Sequence, residues 1–343
     1  MRSVLSAVLL LVLTAGLVQA QQPPSGPPEF VCPVDGHKFK LAQVTPGDGR
    51  GGMDSDMCQH NRTGLPYPNV VIVCPRCNYA RAPRVFAAKL SDTDRGLILR
   101  RLAKSPYRGV KNPFTDIPPW ACHRLAAQSA NVLKETDGEL EAWLVGSWCA
   151  RIEACRVATF KYSASHALSN MMQLRRLIRE MEAALVTTKD AAEKKTLLLH
   201  LAMMHQRAGS PKARDATIAK LKTTLAGDRL AAARLARFQK LLAIEAEFQR
   251  EYLAALKRVS AGKDYEPNAV HAFFRAEVLR RLGKPDEALK EYREARKLTT
   301  GAGELRARID YFLTLLAPGE PLVEPEKPER PKAPAPEPEP TEP

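Results

Sequence analysis

The sequence predicts a mostly α-helical chain, a helical-repeat array of tetratricopeptide-like spacing behind a small β-rich N-terminal module. Three observations predict it. After residue 81, apolar residues recur at helical spacing, as in Leu97, Ile98 and Leu102, or Leu241, Ile244, Phe248, Tyr252 and Leu256. Before residue 81, four of the seven cysteines cluster among short, irregular stretches. Two corner sequences, RAGSPKA at Arg207 and RLGKPDEA at Arg281, share Arg-x-Gly-x-Pro. Their glycines, Gly209 and Gly283, lie 74 residues apart, about two periods of a 34-residue helix-pair repeat.

In chain order, MRSVLSAVLLLVLTAGLVQA has a positive start at Arg2, an apolar run over 4–18 and a small-residue end at Ala20. This predicts a secretory signal over 1–20; the run is short for a membrane span. The protein is therefore expected to be exported, periplasmic or secreted, where disulfides can form. A Pro-rich linker follows at 21–29, then the β-rich module at 30–82, the helical domain at 83–318 and a Pro/Glu-rich tail at 319–343. That tail cannot build a core and is expected to be extended and disordered.

In the module, FKLAQV and NVVIVC read as strands bounded by turn residues. Between them TPGDGRGGMDSDMC, rich in Gly and Asp, reads as a mobile loop; its spacing fails the EF-hand pattern and no bidentate Glu closes it. Helices are expected to begin at Ser91 with Asp94, at Pro118-Pro119, Asp137, Ser210-Pro211, Asp228 and Pro285. Ala276, Leu279, Leu282, Gly283, Ala288, Leu289, Tyr292, Ala295 and Leu298 fit the tetratricopeptide spacing, although Thr300 stands where its Pro belongs. An ordinary helical bundle shares most of these signals.

The formal charge is +14, and seven acidic residues lie in the tail, so the body is more basic still. Such a field favours anionic partners. For an exported chain that means an anionic surface or polymer, or an acidic protein, and nucleic acid is disfavoured. A solvated basic surface with no specific partner explains the charge equally well.

The chemistry rests on the cysteines. VCPRCNYA places Cys74 and Cys77 in a turn after an apolar strand, and Asn78 suits the positive φ that such a turn needs. CPVDG repeats the frame at Cys32, with Asp35 where a second cysteine would stand and Gly36 keeping the turn. Two such frames, one per hairpin, predict a zinc-ribbon-like module. Cys32, Cys58, Cys74 and Cys77 would hold a structural zinc ion in a closed tetrahedral set; Asp35, His37 and His60 are alternate ligands. A competing reading makes Cys74 and Cys77 a thiol-disulfide pair, although such pairs usually open a helix in a βαβ frame, which is absent here. A structural disulfide framework is a third reading. Cys122 could bridge to Cys149 or Cys155 between helices; otherwise these three are buried thiols.

CPVDGHKF, DSDMC and VCPRCNYA together resemble the uncharacterised bacterial family known as domain of unknown function 2225, whose knuckle-like cysteine motifs precede tetratricopeptide-like helices. Cys32, Phe39, Asp54, Asp56, Cys58, Cys74, Cys77, Tyr79 and Ala80 match its pattern, and Asp35 and Asn78 depart from it. The resemblance implies no activity.

No H-E-x-x-H, G-x-S-x-G or P-loop occurs, and His200 and His205 are off the same-face spacing. No catalytic residues are assigned. The expected function is an exported scaffold with a structural zinc site that binds a protein or peptide through its helices. The alternatives are a redox protein using Cys74 and Cys77, and a basic binder of an anionic surface or polymer.

Overall fold

The computed structural model describes residues 28–41, 52–60, 67, 71–157, 171–225, 227–263, 265–301 and 303–319. The expected signal, all but the end of the expected linker, and the tail from 320 onward lie outside these residues. Among the described residues, no helix is long and apolar enough to cross a membrane.

Two short antiparallel hairpins open the fold. Strand β1 (Glu29–Val31) pairs with β2 (Lys38–Lys40), Phe30 opposite Phe39. Strand β3 (Ile72–Val73) pairs with β4 (Ala80–Arg81), Val73 opposite Ala80. Strands this short carry little stability of their own. Phe86, on the single turn α1 (Pro83–Phe86), ties them together by packing edge-on against Phe30 and Phe39 at 6.0 Å each and, with its ring tilted, against Tyr79 at 5.3 Å.

The remaining helices are α2 (Asp92–Leu102), α3 (Pro113–Asp116), α4 (Pro119–Val132), α5 (Thr136–Ala154), α6 (Met171–Thr187), α7 (Ala191–Arg207), α8 (Pro211–Thr224), α9 (Arg229–Ser260), α10 (Ala269–Arg281), α11 (Pro285–Leu298) and α12 (Glu304–Leu316). The chain is thus mostly helical with a small antiparallel β-rich N-terminus. Their starts follow local chemistry. The Ser91 hydroxyl accepts from the Asp94 amide at 3.1 Å, and the Asp228 carboxylate from the Ala231 amide at 3.0 Å, satisfying amides a helix start leaves open. Pro119, Pro211 and Pro285 occupy first helical positions, where a missing N–H costs nothing. The start expected at Asp137 lies one residue earlier, at Thr136.

The two Arg-x-Gly-x-Pro corners are built alike. Gly209 and Gly283 take φ of +62° and +80°, which a side chain would resist. Ser210 donates its amide to His205 O at 2.9 Å, and Lys284 to Leu279 O at 3.0 Å, the bond that closes a helix C-terminus. Between the corners, however, α9 runs unbroken for 32 residues, where a 34-residue period would place a helix pair. The corners match locally without a regular array joining them.

Among the described residues, two hydrophobic clusters make the interior. One joins the hairpins to α2, α4, α5, the C-terminal half of α9 and α10–α12; Cys32, Phe39, Tyr79, Trp148, Phe248 and Phe273 are among its members. The other holds Leu174, Leu198, Met203, Leu221, Leu235 and Phe238 from α6–α9. Helix α9 serves both, with Leu241 in one and Phe248 in the other. Buried Glu245 lies between them on the same helix, so the seam between the clusters is polar.

Candidate metal centre

The two knuckles superimpose in their hydrogen bonds. In the first, Gly36 N donates to Cys32 O at 2.9 Å and Cys32 N to His37 O at 2.9 Å; in the second, Asn78 N donates to Cys74 O at 2.9 Å and Cys74 N to Tyr79 O at 2.8 Å. Gly36 and Asn78 both take positive φ, +70° and +65°, as the sequence requires of those positions. Asn78 does more than a glycine could: its side chain bonds Ser105 Oγ at 2.7 Å and, with its amide turned to suit, Tyr107 O and Arg108 N at 3.1 Å each. Gly109 N donates to Pro75 O at 2.8 Å, so residues 105–109 brace this knuckle.

The knuckles face each other and bring together Cys32, Asp35, Cys74 and Cys77, with ligand atoms all within 4.8 Å of one another. Cys32 and Cys77 sulfurs are 3.6 Å apart, and Cys74 Sγ lies 3.8 Å from Asp35 Oδ1. A tetrahedron with zinc–sulfur bonds of about 2.3 Å has edges of about 3.8 Å, so the spacing suits such an ion. The Asp35 carboxylate fits too. Its Oδ1 accepts from His37 N at 3.1 Å, whereas its Oδ2 is buried without a hydrogen-bond partner, 3.8 Å from the Arg76 guanidinium. Of these three crowded, buried thiols, Cys74 ionises most readily. The Cys74 thiol is held down to about 2 by hydrogen bonding from Cys32 and Cys77, while the hydrogen bond to Cys74 pushes the Cys32 thiol up.

Cys58, expected as the fourth thiolate, lies elsewhere, in a second buried group with Asp54 and His60. Asp35, an alternate in the sequence reading, stands with the other three cysteines instead. His60 Nε2 contacts Asp54 Oδ2 at 2.8 Å and Cys58 Sγ at 3.8 Å. His37 stacks on Phe39 at 6.0 Å and its ring joins neither group. The second group suits no cation, because Asp54 already faces two arginines, Arg207 at 3.0 Å on Oδ1 and Arg151 at 3.2 Å on Oδ2. All seven cysteines carry free thiols, so neither bridge considered for Cys122 is formed. Cys74 and Cys77 occupy the turn between β3 and β4 and not a helix N-terminus, which takes support from the redox reading.

Residues 52–60 overturn the expectation of a mobile loop there; the preceding 42–51 lie outside the described residues. Met53 bridges Gln59, Asp54 N donates to Cys58 O at 2.9 Å, Met57 N donates to Asp54 O at 3.1 Å, and Met57 takes φ +64°. This tight turn drives Asp54, Ser55 and Asp56 into the helical region, where all three are buried.

The socket that receives them lies at the polar seam. Arg151 of α5 donates to both oxygens of Asp56 at 2.8 Å, and its Nε donates to Glu245 Oε1 of α9 at 2.8 Å. Arg207, from the first Arg-x-Gly-x-Pro corner, donates to Asp54 Oδ1 at 3.0 Å. Arg281, from the second, donates to Asp56 Oδ1 at 3.2 Å and Ser55 Oγ at 3.1 Å. Arg280 donates to Ser55 Oγ and to Glu277 Oε2 at 2.8 Å each, and Ser55 Oγ donates to Glu277 at 2.6 Å. Trp148 Nε1 donates to Asp56 at 3.1 Å, and Arg308 holds the carbonyls of Asp54 and Ser55 at 3.2 and 3.1 Å. Burial would raise the Asp54 and Asp56 carboxyls; for Asp54 the outweighing groups are His60, Arg207 and Arg151, and for Asp56 they are Arg151 and Arg281, which hold it down to about 2. Sequence reasoning missed this socket, although both halves of the signal were in view, the Asp-x-Asp of the loop and the arginine repeated at each corner.

Residues 28–135, from the first hairpin to the residue before α5, match the model of a family described as an uncharacterized protein conserved in bacteria, DUF2225. The resemblance of the cysteine motifs is thereby shown over that segment. No curated protein matches the chain, and no solved structure does.

Proposed function

We propose that the protein is an exported, non-catalytic scaffold whose helical region binds a protein or peptide, and whose N-terminal module is folded by one structural zinc ion held by Cys32, Asp35, Cys74 and Cys77. The observation that carries the metal is the convergence of four donors on two matching knuckles. Thiolates favour zinc over hard cations. A closed four-donor set leaves no open position for substrate or water, so the ion would fold the module and not catalyse. Strands of two and three residues need such a staple. Export is supported by residues 1–20, and the binding role by the helix-pair corners at Gly209 and Gly283. The basic surface is a weaker support for an anionic polymer, because Arg81, Arg151, Arg207, Arg280, Arg281 and Arg296 are buried.

The test is metal content and thiol reactivity of the full chain, purified without chelator or reductant. About one zinc per chain is expected, with Cys32, Cys74 and Cys77 becoming reactive on chelation. Absence of bound metal with Cys74 and Cys77 oxidised to a disulfide would sink the metal reading.

A further inference from the structure

The Asp54–Asp56 turn meets the helical region as a ligand meets a receptor. The turn is held in shape by its own backbone bonds, from Met53 to His60. Apart from the His60–Asp54 contact, the side chains of Asp54, Ser55 and Asp56 bond outward, to groups on α5, α7 and α10. Two of the receiving groups, Arg207 and Arg281, come from equivalent places in two separate corners, each at the C-terminus of a helix closed by a positive-φ glycine; the third Asp-facing arginine, Arg151, lies on α5. Arg280 is anchored independently of the turn, by Ala208 O at 2.9 Å, Gly209 O at 2.6 Å and Glu277. Arg281 likewise donates to Gln206 O at 3.0 Å and Arg207 O at 3.1 Å. Arg151 is anchored by Glu245, itself bonded to Gln206 and Gln249 at 2.6 and 3.0 Å. The guanidiniums of Arg151, Arg280 and Arg281 are thus preorganised by the helices, and preorganised arginine forks are selective for carboxylates.

We propose that the helical region carries a receptor for an Asp-x-Asp segment, occupied in cis by Asp54-Ser55-Asp56, and that a partner's acidic segment of this chemistry enters by exchange with it. This deepens the scaffold reading by naming the chemistry of what the scaffold takes; it does not depend on the metal. The spacing does the selecting. Asp54 faces Arg207 and Arg151, Asp56 faces Arg151 and Arg281, and the small hydroxyl between them reaches Glu277, Arg280 and Arg281.

The experiment uses the full chain carrying Asp54→Asn and Asp56→Asn, a synthetic peptide of residues 52–60, the same peptide with both Asp replaced by Asn, and a scrambled peptide of equal charge. Binding is read by calorimetry and by the rise of thermal midpoint with peptide. The 52–60 peptide should bind the variant more tightly than the wild type by at least about tenfold, because the tethered segment competes at an effective millimolar concentration. The Asn and scrambled peptides should not bind. If the variant is unfolded, the 52–60 peptide alone should restore folding, since a ligand of the native state stabilises it by mass action. No binding or rescue by the 52–60 peptide overturns the receptor. Equal binding to wild type and variant, or equal binding of the scrambled peptide, also overturns it and leaves only the general attraction of a basic surface. Metal content measured on the same variant is expected to be unchanged, which keeps a failure here distinct from a failure of the zinc reading.

Discussion

Arg151 grips Asp56 with both arms of its guanidinium, each donating to one carboxylate oxygen at 2.8 Å, where neither side chain is more than 4% exposed. The pair joins α5 of the helical region to a turn inserted between two knuckles, across a seam that the two apolar clusters leave polar. Four carboxylates, Asp54, Asp56, Glu245 and Glu277, face four guanidiniums, Arg151, Arg207, Arg280 and Arg281. A balanced buried network adds little net stability, but losing one member strands the others.

Arg151→Met should therefore destabilise the protein by about 3–5 kcal/mol, since it leaves Asp54, Asp56 and Glu245 short of a partner in the interior. Arg151→Lys should recover only part of the loss, because an ammonium cannot reproduce the fork. Urea unfolding of both variants checks this; a Met variant as stable as wild type would mean that the seam is hydrated and the network dispensable.

Gly146 sits where α5 crosses α9. A methyl group there would fall well inside van der Waals contact with the Phe248 ring and 3.1 Å from His123 Cβ, and Phe248 is held in turn by an edge-on contact with Trp143 at 5.2 Å. Gly146→Ala should cost about 1–3 kcal/mol as overpacking, against the gain of up to about 1 kcal/mol that alanine brings to a helix. A rise in thermal midpoint would show that the crossing relaxes freely.

Stability should fall in two stages on acidification. Burial lowers the His123 imidazole to about 4; burial and Arg207 lower His60 to about 4 against the pull of Asp54. Both rings are neutral in the fold and charge more readily in the unfolded chain, near the usual histidine value of about 6.5. Their contribution is complete above about 6.5 and is lost as pH falls toward 4. Asp56, held down to about 2, then contributes stability that is present above the ordinary carboxylate value of about 3.9 and lost as pH falls through 2. Urea midpoints at a series of pH values should show both stages, and His123→Gln should shrink the first and spare the second.

The donor set makes its own prediction. Cys58→Ser should keep the bound metal, whereas Cys32→Ser and Cys74→Ser should lose it. Asp35→Cys should hold the metal more tightly against a chelator, because it supplies the fourth thiolate that the matching knuckle frame would have carried. Loss of metal from the Cys58 variant alone would move the site to the second group.

Local chemistry was legible in the sequence. The helix starts at Ser91, Pro119, Pro211, Asp228 and Pro285, the knuckle turns at Gly36 and Asn78, and the helix ends at Gly209 and Gly283 all follow from caps, fixed φ or tolerance of positive φ, which act within a few residues. The sequence alone therefore determined a mostly helical chain with two cysteine hairpins at its front. Only the tertiary structure decided which donors meet. Asp35 and Cys58 are both possible fourth donors by residue type, and spacing cannot say that the turn of 52–60 carries Cys58 away to Asp54 and His60. The same turn looked mobile because Gly and Asp are loop residues when solvated; it is buried because arginines 95 to 226 positions distant along the chain supply charge where water would otherwise be needed. Pairing of that range is invisible to periodicity, and it is what turns an acidic loop into the centre of the fold.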